Sequence, residues 1–149
     1  MLYPRMRMPS QLALLGDLLL IAGEKLDVPA EQLLRTVPLL GDDSALAAPF
    51  IAFEETDPPP GLAEQAAIYG AWIACNQPFS HHNREIGYRF MRAMLKEAEK
   101  PWPQFPEDAY VVEAMFESVE TAAITVAEFV DWVCLRVKVA ERLRDEAAS

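Results

Sequence analysis

Positive charge is scarce in this chain. Lys and Arg number 13 against 23 Asp and Glu, so the net charge is −10 and the isoelectric point lies near 4.6. Such an acidic surface repels phosphate backbones and anionic lipid, which argues against nucleic acids and membrane surfaces as partners. Long apolar runs are also missing. The run at residues 12–22 is broken by Gly16 and Asp17, so we expect no signal peptide, no membrane span and a cytoplasmic location.

Cysteine and histidine are equally sparse, with two residues of each type. Cys75 and Cys134 lie far apart in apolar surroundings, which favours buried free thiols in a reducing compartment; a disulfide between them is the alternative. His81 and His82 are adjacent and have no cysteine near them in the sequence. Two histidines form an incomplete ligand set, so we expect no metal site, and an adjacent pair is typical of a solvated loop.

Hydrophobic residues, by contrast, make up 52% of the 149 residues. A chain of this length and composition is expected to fold as one domain, residues 1–149, around a single core. Strict alternation of apolar and polar residues is nearly absent, whereas apolar residues recur at helical spacing. The prediction is a mostly α-helical fold, a compact bundle of about six helices with one irregular excursion.

Helical segments are predicted from apolar stripes and from residues that start or stop helices. Ser10 is placed to cap a first helix, which Gly23 ends or nearly ends. The apolar face of this helix comprises Leu12, Leu15, Leu19 and Ala22. Thr125 and Glu128 are spaced as a capping box that opens the last helix. The other predicted helices span residues 30–35, 62–76, 84–100 and 107–119.

The segment 62–76 is predicted to be the central helix, because its small residues allow another helix to approach closely. These small residues are Ala67, Gly70 and Ala74. In the next helix, 84–100, Glu85 and Arg89 are spaced for a surface ion pair. We expect the two helices to be adjacent and central, joined by the loop 77–83.

Residues 36–61 differ from the rest of the chain because prolines and glycines interrupt them. Within this stretch Phe50, Ile51 and Phe53 form a short apolar run that could be extended. We expect at least part of residues 49–57 to be extended and to lie beside the loop 77–83. An extended run would offer a free strand edge to a partner protein. The alternative is that the three side chains fold back onto the core.

The loop after the central helix reads QPFSHHNRE, residues 77–85. It resembles the signature of the Fic/Doc (Fido) family, roughly H-P/A-F-x-x-G/A-N-x/K-R, which joins two central helices. The stretches LLRTVPLLGDDSALAAPF and EFVDWV are similar to the corresponding parts of the short Doc-like members, so the resemblance covers about residues 10–137. It implies a Fido-type helical bundle with a short irregular or β flap, here Phe50, Ile51 and Phe53.

The resemblance also implies a chemistry. Fic-type members transfer a nucleotide monophosphate, usually AMP from ATP, to a protein hydroxyl, whereas Doc-type members transfer a phosphoryl group. The family's histidine acts as general base and an acidic residue holds Mg²⁺. Its asparagine, arginine and helix N-terminus bind the phosphates. ATP with Mg²⁺ is therefore the implied cofactor only if the site is functional.

Four chemical positions of the family loop are altered in this chain. Gln77 stands in place of the base, and an amide cannot take a proton near neutral pH, which removes a factor of roughly 10²–10⁴ in rate. His81 stands near the metal ligand, although Mg²⁺ prefers oxygen ligands. His82 replaces the small residue and can crowd the approach of phosphates. Glu85 reverses the charge of the arginine.

Asn83 and Arg84 remain as candidate phosphate-binding residues. Asn83 is at least as well suited to be the N-cap of the following helix. Arg84 is at the first turn beside Glu85, where a solvated ion pair is the simpler interpretation.

Two functions follow from these residues. The first is a Fic/Doc-fold protein that has lost transfer chemistry and serves as a protein-binding or regulatory module, with an antitoxin-like protein or a former target as partner. The second is an active transferase with a rearranged site, in which His81 or His82 is the base. The first is favoured because base, metal ligand and charge clamp are altered together. A helical scaffold without a ligand is a third alternative.

Overall fold

The computed structural model of the chain describes residues 9–36, 45–106 and 108–148. All regular secondary structure among these residues is helical, and they contain no strand. The short 3₁₀ turn Ala45–Ala47 precedes α3. The helices are α1 Pro9–Leu26, α2 Ala30–Thr36, α3 Ala48–Glu55, α4 Leu62–Asn76, α5 Asn83–Glu97, α6 Asp108–Glu120 and α7 Val126–Ala148.

The α4 helix is the centre of the bundle and contacts α3, α5, α6 and α7. Its closest neighbour is α5, and the two helices meet at Gly70 and Gly87. A Cβ atom on Gly87 would lie 2.7 Å from the carbonyl oxygen of Gly70, and one on Gly70 would lie 3.1 Å from Cβ of Met91. The predicted adjacency of these helices is confirmed by this contact. Glycine at the contact permits the close approach of the two helices.

Aromatic side chains fill the core on both sides of this contact. Tyr69 packs against Phe90 with ring centroids 4.8 Å apart, and Phe116 packs against Phe129 at 4.9 Å. All four are almost completely buried. The Tyr69 hydroxyl donates a hydrogen bond to the carbonyl oxygen of Leu46, and burial raises the pKa of Tyr69 well above its usual value.

The first helix continues three residues beyond Gly23, to Leu26, so the predicted stop was slightly early. The chain then reverses through Asp27, whose φ is 57°, and the Val28 amide donates to the Gly23 carbonyl at 3.0 Å. A Cβ on Gly23 would lie 2.8 Å from the Val28 carbonyl oxygen. The glycine therefore serves the return of the chain rather than the end of the helix. The expected Ser10 cap and the Leu12 side chain lie outside the described side chains.

The prediction of an extended run at residues 50–53 is wrong, because these residues lie in α3. Pro49 occupies the first turn, a position that favours helix because its missing N–H would have no partner there. Phe50 and Phe53 are buried, with the Phe50 ring 5.1 Å from that of Tyr69, while Ile51 is half-buried. The alternative, that this segment folds onto the core, is correct for both phenylalanines.

The remaining helix boundaries agree with expectation to within one residue, except that α5 ends at Glu97 instead of residue 100. The Glu128 amide donates to Thr125 Oγ1 at 3.0 Å, and the Thr125 amide donates to Glu128 Oε1 at 3.0 Å, which confirms the predicted capping box.

Both cysteines are free thiols, as predicted, but Cys75 is exposed and Cys134 only half-buried, so the expectation of burial was wrong. No helix in the described ranges is long and apolar enough to cross a membrane.

The connector between α5 and α6 is fixed by one arginine of α7. Arg136 donates to the Pro103 carbonyl at 3.4 Å and forms an ion pair of 2.8 Å with Asp108. Its guanidinium also lies over the rings of Trp102 and Trp132, 4.9 Å and 5.3 Å from their centroids. These contacts hold the connector and the start of α6 against α7.

Candidate functional site

The loop between α4 and α5 is shaped by two residues with left-handed backbone. Gln77, with φ 50°, ends α4, and its amide donates to the Ile73 carbonyl at 2.9 Å. His82, with φ 60°, is the N-cap of α5, and its carbonyl accepts from the Ile86 amide at 2.9 Å. The loop thus starts and finishes with residues in a conformation that non-glycine residues seldom adopt.

Asn83 closes the loop from within. Its side chain accepts a hydrogen bond from the Phe79 amide at 3.0 Å and donates one to the Phe79 carbonyl at 3.0 Å. Asn83 is 8% exposed, and Phe79 is buried as expected. The interpretation of Asn83 as N-cap was wrong, because the helix already includes this residue and its amide group pairs with loop backbone instead. Both polar atoms of the Asn83 amide are engaged by the protein.

Gln77, the residue that the resemblance aligns with a catalytic base, makes a hydrogen bond across the site. Its Nε2 donates to Glu120 Oε1 of α6 at 2.8 Å. The side chain is therefore a donor to a carboxylate, and it cannot act as a proton acceptor.

Arg84 is surrounded by three carboxylates of one neighbouring helix, α6. Its Nη1 lies 2.8 Å from Glu113 Oε1, its Nε lies 3.0 Å from Glu120 Oε2, and Glu117 follows at 3.7 Å. A solvated pair with Glu85 was expected, whereas the partners belong to α6. Arg84 is thus the cation at the centre of an acidic cluster formed by Glu113, Glu117 and Glu120.

Glu85 pairs with α1 instead of with its own helix. It forms an ion pair with Lys25, and the hydrogen bond from Lys25 holds the pKa of Glu85 below its usual range. Arg89, the partner expected for Glu85, bonds Glu24 Oε2 at 3.2 Å. The predicted pair was wrong because α1 lies against α5 and presents Glu24 and Lys25 to it.

The two histidines are exposed at the mouth of the site. His81 Nδ1 lies 3.0 Å from Ser80 Oγ, and His82 Nδ1 lies 3.3 Å from Glu85 Oε1. Their ring centroids are 4.5 Å apart. Glu85 can therefore orient the imidazole of His82 in the way that a carboxylate orients a histidine base.

A cavity of about 360 Å³ opens between the loop and α6. Its charged lining in the described part of the chain consists of one arginine, Arg84, and three glutamates, Glu85, Glu113 and Glu120, apart from the two histidines. Phe50, Ile51 and Phe53 are not among the described residues that line it. Nor does the described part of the chain contain a group of three or more His, Cys, Asp or Glu side chains placed to hold a metal ion.

The sequence prediction brought together Gln77, His81, His82, Asn83 and Arg84, and the structure places all five along this cavity. It missed the glutamates of α6. Their spacing in the sequence, at positions 113, 117 and 120, places them on one helix face and was a readable signal. What the sequence did not reveal was that this face lies against the loop.

Comparison with known proteins found no match for this chain among family models, curated proteins or solved structures.

Proposed function

We propose that this chain is a Fic/Doc-like protein, similar to a death-on-curing toxin, that has lost AMP or phosphoryl transfer and acts in the cytoplasm as a protein-binding or regulatory module. The observation that carries the proposal is the ion-pair cluster around Arg84, whose guanidinium is held by Glu113 at 2.8 Å and Glu120 at 3.0 Å. The succession of central helix, loop and second central helix, with Asn83 at the start of the second, is the arrangement that the resemblance implies.

The Arg84 cluster opposes nucleotide binding in two ways. Before Arg84 contacts a phosphate it must leave carboxylates already in charge-assisted hydrogen-bond range. The glutamates would then face the phosphate as like charges, and such a pair about 4 Å apart repels by about 4 kcal/mol at an effective dielectric constant near 20. A polyphosphate therefore finds net negative charge where the family provides positive charge.

Two further side chains of the loop, Gln77 and Asn83, are already hydrogen-bonded within the protein. Gln77 donates to Glu120, and the Asn83 amide is bonded at both ends to Phe79. A phosphate-binding loop needs donors directed at the ligand before the ligand arrives. These contacts support the loss of AMP or phosphoryl transfer, because the donors of the loop are not free to bind a nucleotide.

Apolar surface on α7 supports a role in binding a protein. Leu135, Val139 and Leu143 are 61%, 41% and 47% exposed and follow one another at four-residue spacing. Residues at this spacing form a continuous stripe on a helix, which is the type of surface that partner proteins cover. An antitoxin-like protein or a former target of the enzyme is the partner class we propose.

A second candidate function rests on His82. Its Nδ1 lies 3.3 Å from Glu85 Oε1, so a carboxylate is in place to orient the imidazole while Nε2 takes a proton from a target hydroxyl. In this alternative the chain is a transferase that uses ATP through a rearranged site, with His82, or His81 beside it, as base.

Calorimetric titration with ATP, in Mg²⁺ and in Mn²⁺, tests the proposal. We expect no saturable binding to the wild-type chain, and no labelled protein when it is incubated with radiolabelled ATP and a cell lysate. Glu113→Gln combined with Glu120→Gln should increase ATP affinity, because it relieves the repulsion and releases Arg84. The matched control is Asp131→Asn with Asp145→Asn, which changes the net charge equally on the exposed side of α7.

Label transfer by the wild-type chain that disappears in His82→Ala would establish the transferase and overturn the proposal. Saturable ATP binding by the wild-type chain would also contradict it, because the carboxylates would then not exclude the nucleotide.

A further inference from the structure

A second feature of α5 lies away from the loop: its C-terminal half borders a cavity of about 490 Å³ between α1, α5 and the connector that follows α5. Among the described residues that line this cavity, four are basic and none is acidic. The basic residues are Arg89, Arg92, Lys96 and Lys100. In a chain of net charge −10, this concentration of positive charge identifies the cavity as an exception to the acidic surface.

The basic side chains differ in the groups with which they pair. Arg89 pairs with Glu24 at 3.2 Å and Lys100 with Glu141 at 3.7 Å. Arg92 instead donates to the Tyr88 hydroxyl at 2.9 Å, and its guanidinium lies 6.0 Å from the Trp102 ring centroid. Arg92 is thus held by aromatic groups, while the charge of Asp108 in the adjoining cavity also acts on it.

A second cavity of about 480 Å³ lies between α5, α6 and the connector. Tyr88, Arg89 and Arg92 line both cavities, so the two adjoin, and we call them together the α5 groove. The far end is apolar, with Phe105, Val112 and Phe116 in its lining, and it also carries carboxylates, Asp108 and Glu113 among them. One end of the groove therefore favours anions and the other favours apolar side chains.

We infer that this groove along α5 binds a segment of a partner protein in which apolar side chains are followed by acidic ones. The apolar side chains would lie against Phe105 and Val112, and the acidic ones against Arg92 and Lys96. An elongated groove with this division suits a peptide segment better than a compact anion, which would use one end only. The inference rests on the proposed function, because it specifies the chemistry of the partner of the binding module.

Fluorescence anisotropy with a short fluorescein-labelled peptide, one half leucine and phenylalanine and the other half glutamate, tests the inference on the full-length protein. We expect saturable binding that weakens with added salt. Lys96→Glu with Lys100→Glu should weaken it by about tenfold or more, because both residues line the anionic end. The control, Lys138→Glu with Arg142→Glu, makes the same charge change on exposed positions of α7 and should leave binding unchanged. Circular dichroism of each variant verifies that the helical fold is intact.

Three results would overturn the inference: no binding of the peptide, equal weakening by the two double variants, or equal affinity for a labelled glutamate peptide without apolar residues. Binding of a single-stranded oligonucleotide as tightly as the peptide would also overturn it, since the groove would then be a general polyanion site. If the peptide fails while ATP neither binds nor is consumed, the groove assignment falls and the proposed loss of transfer chemistry stands. If ATP is transferred, the proposed function falls whatever the peptide does.

Discussion

Replacement of Gly87 by alanine should destabilise the fold, although alanine is the better helix former. Gly87 lies in the interior of α5, and a Cβ atom there would lie 2.7 Å from the Gly70 carbonyl oxygen of α4. The obstructing atom belongs to backbone inside a helix, so it cannot rotate away as a side chain would. The two central helices must therefore separate locally by several tenths of an ångström.

Two opposing effects set the magnitude for Gly87. Alanine gains about 1 kcal/mol over glycine in a helix interior. An extra carbon atom in a closely packed core costs about 1–3 kcal/mol, and the cost here belongs at the upper end because the separation also loosens the contact between Gly70 and Met91. We expect a net loss of about 1–2 kcal/mol.

Gly16→Ala is the matched control. Gly16 also lies inside a helix, α1, but a Cβ atom there would have nothing within 4 Å among the atoms that the structure describes. This variant should gain up to about 1 kcal/mol from helix propensity. Urea unfolding followed by circular dichroism measures both. If Gly87→Ala were as stable as wild type or more so, the close approach of α4 and α5 would be refuted.

Three further substitutions have defined outcomes. Asn83→Ala should cost about 1–3 kcal/mol in the same unfolding assay, because it leaves the buried amide and carbonyl of Phe79 unpaired; no loss would show that the loop is not closed by this residue. Thr125→Ala should cost about 1 kcal/mol by removing the cap of α7, and an unchanged urea midpoint would contradict the capping box. Glu85 has a lowered pKa because Lys25 bonds it. Its contribution to stability is therefore present above its unfolded pKa and lost as pH falls through the folded value. Glu85→Gln should therefore reduce the pH dependence of stability below about pH 4.3, the ordinary pKa of glutamate. An unaltered pH profile would count against the ion pair.

The sequence was sufficient where structure depends on neighbours along the chain. The central helix was expected at 62–76 and is found at Leu62–Asn76. Gly61 and Pro78 border this segment, and its small residues form one helix face, so local rules fix both its ends and its interior. The loop residues 77–83 were likewise identified by their position between two such helices.

The error at residues 50–53 has a physical explanation. Prolines around this segment suggested breaks, but Pro49 lies in the first turn of α3, where proline is compatible with helix. Phe50 and Phe53 are three residues apart, which places both on one helix face, and they bury together against the core. In so short a run, three-residue spacing and strand alternation are difficult to distinguish until the packing partner, Tyr69, is known.

The hydrogen-bond partners of Arg84 and Gln77 could not be predicted from the sequence, for a different reason. Arg84 bonds Glu113, 29 residues away, and Gln77 bonds Glu120, 43 residues away. Nothing local dictates these pairs, because they depend on where the connector places α6. That placement is fixed in turn by Arg136 of α7, through its contacts with Pro103 and Asp108.

The basic residues of α5 meet opposite surroundings at its two ends. Arg84 in the first turn is neutralised by the glutamates of α6, whereas Arg92 and Lys96 in the second half line a cavity whose described lining contains no carboxylate. A helix that binds phosphate at its N-terminus needs positive charge at that end, where its own dipole already favours anions. Here the acidic face of α6 cancels that advantage, whereas the described lining of the cavity beside Arg92 and Lys96 is basic. The proposed functions need this division, because an acidic loop excludes nucleotides while a basic groove attracts an acidic segment of a partner protein.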